Sequence, residues 1–356
     1  MAIELDDLHY DWREVDGYNK PFNFVMSPRE PGKTSMMWLR KIYFGWKIDK
    51  RPWIYLVRQS VEICEALIDS IADSILNKFT DDNVKFKYKT GSFKDGITDV
   101  FIVKDEQEEL FFRIVSLSIQ LRRIKLAVLK NIKGVFCDEY IINPKSGEKY
   151  QPQEAHKIKE AYTTWRRENP KLKMYFAGNP YSLFNPLFVD WNVNTNLLKV
   201  GQFYVGDIFV IQCADLKPAL KAKLLEENPL YQFDAIYANY ALYGKPVNDS
   251  HIRVKQHLPR GYFLKFIFRI QEKTIGVFQN SVFDEHNRFY VKEIENFSQN
   301  RTIFCFEFSE LVERAVVLSM EERMKLYKFK EAFRTRAIDF ENVSCYYLLE
   351  EVYKQL

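Results

Sequence analysis

Phe22-Asn23-Phe24-Val25-Met26-Ser27-Pro28-Arg29-Glu30-Pro31-Gly32-Lys33-Thr34-Ser35 is the stretch on which the reading of this chain turns. Phe22 to Met26 reads as a buried strand, and Met36, Met37, Leu39, Ile42, Tyr43 and Trp46 recur behind it at helical spacing. Strand, punctuated turn, Gly-Lys-Thr and helix together form the setting of a phosphate-binding loop. Backbone N–H groups at a helix start lack intrahelical partners, and the helix dipole adds positive potential there. In that setting Lys33 reaches the β- and γ-phosphates of ATP and the Thr34 hydroxyl ligates Mg²⁺. The loop departs from the usual pattern at Ser27, which stands where a glycine is expected. Pro28 and Pro31 each remove a backbone donor from the cradle.

Working outward, Gly134-Val135-Phe136-Cys137-Asp138-Glu139 is a second apolar strand that ends in paired carboxylates. A carboxylate at the C-terminal end of a strand beside the loop can hold the Mg²⁺ shell, and the next one can polarise an attacking water. The bland alternative for Asp138 and Glu139 is helix capping. Lys173 to Ala177 is a third such strand, ending in Gly178-Asn179-Pro180. Asn179 can orient the water or sense the γ-phosphate, or it can belong to an ordinary Asn-Pro turn. Arg166 and Arg167 close the helix expected over Gln153–Asn169. There they either cap that helix against its dipole or reach into a neighbouring subunit's site as an arginine finger. Arg29, inside the loop, can instead sense the γ-phosphate in cis.

The remaining segments fill in an alternation of strands and helices: Trp53–Val57, a helix over Val61–Phe79, and strands at Val84–Tyr88, Asp99–Val103 and Leu110–Leu117. Such alternation predicts a parallel sheet covered on both faces, with an inserted hairpin. From about Asn194 the pattern changes to short helices at Ala219–Leu225 and Tyr231–Tyr243. Strands follow at Tyr262–Phe268, Lys273–Phe278 and Arg288–Ile294, with helices at Met320–Arg336 and Cys345–Gln355.

Composition limits the function classes. With 356 residues, 47% hydrophobic and 16% aromatic, the chain can bury a large core and is no disordered tail. The acidic start lacks a basic cap and an apolar core, so no signal peptide is expected, and no apolar run is long enough to span a bilayer. Five scattered cysteines, without Cys-x-x-Cys or a nearby His pair, read as reduced thiols and not as a zinc site. The net charge of +4 is small, but it is unevenly spread. Arg122, Arg123 and Lys125 lie in one acid-free run; Lys85, Lys87 and Lys89 alternate with Phe86 and Tyr88; Arg323–Arg336 is a third basic region. Each can track a nucleic-acid backbone, and each can equally be a solvated face.

Pro28 through Thr34, Tyr55-Leu56-Val57-Arg58, Val135 through Glu139, Trp165-Arg166-Arg167 and Ala177-Gly178-Asn179 occur in the order of the genome-packaging ATPases of small podoviruses (Picovirinae), short relatives of phage terminase large subunits. Gly261-Tyr262-Phe263 through Phe289-Tyr290-Val291 and the stretch from Ala332-Phe333 to Phe340-Glu341-Asn342 also resemble that family, so the likeness spans nearly the whole chain. The resemblance implies an α/β fold: a P-loop (ASCE-type) NTPase with a central, mainly parallel sheet over 1–195, a small helical connector over 196–250, and an α+β RNase H-like domain over 251–356. It also implies a ring, a pentamer, at the portal (connector) protein of a procapsid, driving double-stranded DNA inward with ATP and Mg²⁺. A packaging RNA is a further implied partner. The place of action would be the host cytoplasm, transiently on the procapsid, with the protein absent from the mature virion. Residue by residue, the resemblance implies that Ser27 to Ser35, Glu30 included, cradle the nucleotide. Thr34 and Asp138 would serve the metal, Glu139 would be the base, Asn179 the coupling residue, and Arg166 the trans-acting finger with Arg167 as the adjacent alternative. The RNase H-like domain would lack its nuclease site, because Phe263 to Ile270 carries no acid while Asp284 and Glu285 sit in a turn. Rival readings are a terminase with an active nuclease, a P-loop kinase, and a nucleic-acid-binding module without catalysis.

Overall fold

The computed structural model describes residues 9–29, 31–104, 107–143, 148–244, 252–270, 273–281, 289–295, 301–335 and 337–356. The chain divides into two compact units, one from Met1–Asp190 with Leu198–Val247 and one from Trp191–Leu197 with Asn248–Leu356. The stretch expected to form a separate connector thus falls mostly within the first unit.

The first unit is built on nine strands: β1 (Phe22–Met26), β2 (Trp53–Val57), β3 (Phe86–Tyr88), β4 (Ile97–Lys104), β5 (Gln107–Ser116), β6 (Gly134–Cys137), β7 (Met174–Gly178), β8 (Gln202–Val205) and β9 (Phe209–Cys213). Their order is β3-β4-β5-β2-β6-β7-β1-β9-β8. The run β5-β2-β6-β7-β1-β9 is parallel throughout, and antiparallel pairing is confined to the two ends of the sheet. Every residue of β1, β2, β6, β7 and β9 is buried, which explains why their sequences are continuous apolar runs and not alternating ones. Trp38, fully buried, meets Tyr55, Phe112 and Phe136 edge-on at the centre of the core.

Two features were not anticipated. β8 and β9 extend the sheet beyond β1, whereas the sequence reading places no strand between Asn194 and Tyr262. The helix following β1 runs from Lys33–Met36 through Met37–Tyr43 to Phe44–Asp49, and its middle is π-wound. Of the other expected helices, Gln153–Asn169 forms as Glu154–Glu168 (α1) and Ala219–Leu225 as Pro218–Glu227 (α2). The one over Tyr231–Tyr243 is instead two, Pro229–Phe233 (α3) and Ala235–Ala241 (α4). The one over Val61–Phe79 opens with a 3-10 turn at Ser60–Glu62 and runs on from Glu65–Ser70 through a π-wound Ile71–Leu76 to Asn77–Phe79.

The second unit contains β10 (Tyr262–Ile270), β11 (Lys273–Asn280), β12 (Phe289–Glu293), β13 (Ile303–Cys305), β14 (Ala315–Val317) and β15 (Ile338–Phe340), ordered β14-β13-β10-β11-β12-β15. Its first three strands form an antiparallel meander, while β13 and β14 add parallel on the far side of β10. The unit is therefore a mixed sheet with helices, as the α+β expectation has it. The single helix expected over Met320–Arg336 is instead two, Met320–Lys325 and Tyr327–Arg334, which meet at Leu326; Arg336 lies outside the described residues. β11 runs on past the expected end at Phe278 to include Gln279 and Asn280, and Asp284 and Glu285 fall outside the described residues.

Candidate nucleotide site

The strand order is what assembles the site. β7 lies between β1 and β6, so the segments following these three parallel strands emerge side by side at one edge of the sheet. Those segments carry the loop from Ser27 to Lys33, then Asp138 and Glu139, then Asn179.

Gly32 caps the helix with φ 66°, a left-handed conformation that glycine adopts without a Cβ penalty. A Cβ there would also sit 2.7 Å from the ring of His9. The N-terminal segment crosses the loop at this point. Tyr10 N–H donates to Pro31 O at 2.7 Å and Trp12 Nε1 to Lys33 O at 2.8 Å. Behind the loop, Ser27 N–H donates to Gly178 O and Arg29 N–H to Ala241 O. The Ser27 hydroxyl is occupied with Pro28 O at 3.0 Å, and the Arg29 guanidinium donates to the Tyr181 hydroxyl at 2.7 Å. Glu30 lies outside the described residues. Ser35 is half-buried in the first turn of the helix.

Lys33 is buried, and its ammonium donates to Asn179 Oδ1 at 2.7 Å. Burial pulls its pKa down to about 8, against the pull of Asp138 and Glu139, and Arg29 adds to the lowering. Burial also pushes the Asp138 carboxyl up to about 6; Lys33 and a hydrogen bond from the Thr34 hydroxyl oppose the rise, and Glu139 adds to it. Both charges are therefore sheltered from water and incompletely compensated by the protein. The donor set suits Mg²⁺ beside a triphosphate: a Thr hydroxyl touching a carboxylate, hard oxygen donors without sulfur or imidazole.

Glu139 projects into solvent with φ 51°, and its N–H donates to Asp138 Oδ1 at 3.0 Å. Its carbonyl, and that of Tyr140, accept from Arg58, whose guanidinium is also paired with Glu154. The resemblance includes Arg58, at the end of Tyr55-Leu56-Val57-Arg58, without giving it a role. Its partner lies 96 positions away, and no local pattern announces it. Tyr140 fits because Gly178 has no side chain: a Cβ on Gly178 would lie 2.7 Å from the tyrosine ring.

Arg166 and Arg167 are exposed in the last turn of α1. That helix returns from the Glu139 side toward the N-terminal end of β7, and its 15 residues span about 22 Å. Both arginines therefore stand at the opposite edge of the sheet from their own chain's Lys33.

The basic candidates are less free than their sequence suggested. Lys87 pairs with Glu108, and Lys125 with Glu160 at 2.8 Å. Arg123 lies 3.9 Å from Asp95, while Arg122, Lys85 and Lys89 are exposed. The interleaved aromatics turn inward, Phe86 onto Phe111 and Phe112 and Tyr88 onto Phe93. Both rings are half-buried in these contacts. In the third region Arg323 and Lys330 donate to the carbonyls of Gln355 and Leu356. Among the described residues no group of three or more His, Cys, Asp or Glu side chains is placed to hold a metal, and no helix is long and apolar enough to cross a membrane.

A family model described as Podovirus DNA encapsidation protein (Gp16) matches residues 5–356. Among curated proteins none matches. Of solved structures, "The bacteriophage Phi-29 viral genome packaging motor assembly" superposes with a TM-score of 0.72 at 18% identity, covering 98% of this chain and 99% of that one. "The Phi-28 gp11 DNA packaging Motor" gives a TM-score of 0.57 at 15% identity, with 97% of each chain covered. At these identities the likeness establishes the fold.

Proposed function

Since this chain belongs to the podovirus DNA encapsidation proteins, we propose that it hydrolyses ATP to drive double-stranded DNA into a procapsid, as one subunit of a ring at the portal. The observation that carries the reading is the convergence of Lys33, Thr34, Asp138, Glu139 and Asn179 at one edge of three adjacent strands. In the proposed roles Lys33 neutralises the β- and γ-phosphates, exchanging Asn179 for them, while Thr34 and Asp138 hold Mg²⁺. The metal, when bound, would offset the charge that develops on the phosphate oxygens. Glu139, exposed and left-handed, orients and deprotonates the attacking water. Asn179, released from Lys33, reports occupancy along β7. A base that acts on water suits hydrolysis better than transfer to an acceptor, which disfavours the kinase reading.

Arg166 is the proposed finger, with Arg167 as its alternative. Their position at the far edge of the sheet supports action on a neighbour's site, and with it a ring, which we take to be a pentamer. Arg29 then remains the cis candidate beside Lys33. For the second unit we propose docking to the portal, to DNA or to a packaging RNA without cleavage. β10 carries no acidic residue, and the strand acids Glu293 and Asp339 are each taken up in ion pairs. The setting would be the host cytoplasm, with the subunits gone from the finished virion.

The test combines procapsids, DNA and ATP with unaltered and mutant subunits. The parent should protect DNA from added nuclease and hydrolyse ATP faster when DNA is present, and Lys33→Ala should do neither. Mixing Arg166→Ala with Lys33→Ala subunits should restore part of the hydrolysis, because each supplies the half that the other lacks. DNA-independent hydrolysis without protection would sink the motor reading, and no recovery on mixing would sink the trans-acting finger.

A further inference from the structure

Left-handed backbone at a residue with a side chain costs free energy and persists only where the surroundings impose it. Glu139, with φ 51°, is such a residue, and what surrounds its peptide is an unusual convergence of donors. Arg58 follows β2, the neighbour of β6 in the sheet. Its guanidinium reaches the carbonyl oxygen of Glu139 from both Nη atoms, at 3.3 and 3.4 Å, and that of Tyr140 at 3.1 Å.

The same guanidinium is fixed from its other side. Nε lies 3.1 Å from one Glu154 oxygen and Nη2 3.3 Å from the other, and the two side chains are only 10% and 5% exposed. Tyr150 covers the group, its ring centre 5.1 Å from the guanidinium carbon. Glu154 is itself held, accepting from Gln151 N–H at 2.8 Å. It opens α1, where the helix dipole favours an anion.

We propose that Arg58 is a positioning residue for hydrolysis. Anchored by Glu154, it pins the two carbonyls that follow Asp138 and so holds the Glu139 carboxylate where an attacking water must be met. It touches neither nucleotide nor metal and acts only through the main chain. A guanidinium suits the task because its planar fork carries five donors and can serve a carboxylate and two carbonyls at once; an ammonium cannot span that geometry. The inference rests on Glu139 being the base.

The experiment measures single-turnover ATP hydrolysis, affinity for a fluorescent ATP analogue and melting temperature for Arg58→Lys, Glu154→Gln and Glu139→Gln. A loosened base should slow hydrolysis by about a hundredfold in Arg58→Lys, with analogue affinity changed less than about twofold. Glu154→Gln should move the same way by a smaller factor. A purely structural ion pair would be rescued by lysine, so Arg58→Lys hydrolysing at the parent rate overturns the proposal. So does a rate loss matched by an equal loss of affinity. Glu139→Gln run in parallel separates the two readings: if it stalls while Arg58→Lys does not, only the positioning role falls. If Glu139→Gln turns over normally, the base assignment falls and the positioning role with it.

Discussion

Asp138 in the first unit and Asp339 in the second are both sheltered carboxylates on or beside a strand with cationic neighbours, yet they are equipped in opposite ways. Asp339, completely buried in β15, has Arg253 Nε at 2.9 Å and Lys255 Nζ at 2.5 Å. It ties the strand to the segment just before the meander, where Val254 bridges to Phe340. Asp138 has the Thr34 hydroxyl and one nearby ammonium, and that ammonium gives its short hydrogen bond to Asn179. One carboxylate has two protein cations at ion-pair distance, and the other has a hydroxyl and an ammonium that it shares with an amide. A buried ion pair that is complete holds two segments together; one that is incomplete is a receptor.

The comparison breaks most visibly at Glu139. Exchanging it for glutamine should leave ATP bound and reduce hydrolysis by roughly 10²–10⁴-fold, the usual worth of a positioned base; pre-steady-state kinetics would show it. At Asp339 the expectation is thermal and not kinetic. Arg253→Met combined with Lys255→Met strands a buried anion, which should cost about 3 kcal/mol. Calorimetry should show an earlier transition with nucleotide affinity unchanged. An unchanged melt would mean that Asp339 does not depend on its two cations.

The smallest effect sharpens the contrast. Folding raises the Asp138 pKa from 3.8 to about 6, so the folded protein holds that proton more tightly than the unfolded chain does. The ionised carboxylate therefore costs stability above pH 6, and the cost vanishes below about pH 3.8. Asp138→Asn should abolish hydrolysis yet stabilise the nucleotide-free protein at pH 7.5 by on the order of 1 kcal/mol. That advantage should shrink as the pH falls from 6 to 4. A variant that melts lower than its parent at pH 7.5 would contradict the unsatisfied state of the site.

How far the molecule could be read beforehand follows from how local each signal is. Asp138 and Asn179 directly follow apolar strands of four and five residues, and Lys33 opens the helix after a third of five, so their spacing and chemistry lie in short windows. The central parallel sheet was legible for the same reason. β13, β14 and β15 are three residues each, too short for periodicity to register. β8 escaped because it is an edge strand, with its four residues half-buried or exposed, so its sequence looks like a loop. The helix break at Leu326 follows a capping box at Ser319 and Glu322 that marks a start but gives no sign of so early a stop. The basic runs could not be weighed beforehand because sequence shows charges and hides their partners. Lys87 and Lys125 are matched by acids brought near by the fold.

The single hydrogen bond from Arg29 N–H to Ala241 O, 3.1 Å long, gives the phosphate loop a second owner. Ala241 ends α4, in the last described stretch before the chain passes to its second unit at Asn248. A loop that tightened around a triphosphate would either let that bond go or draw the end of the helix along with it. The phosphate loop and the end of α4 are thus joined through main-chain atoms, so whatever displaces one is felt by the other.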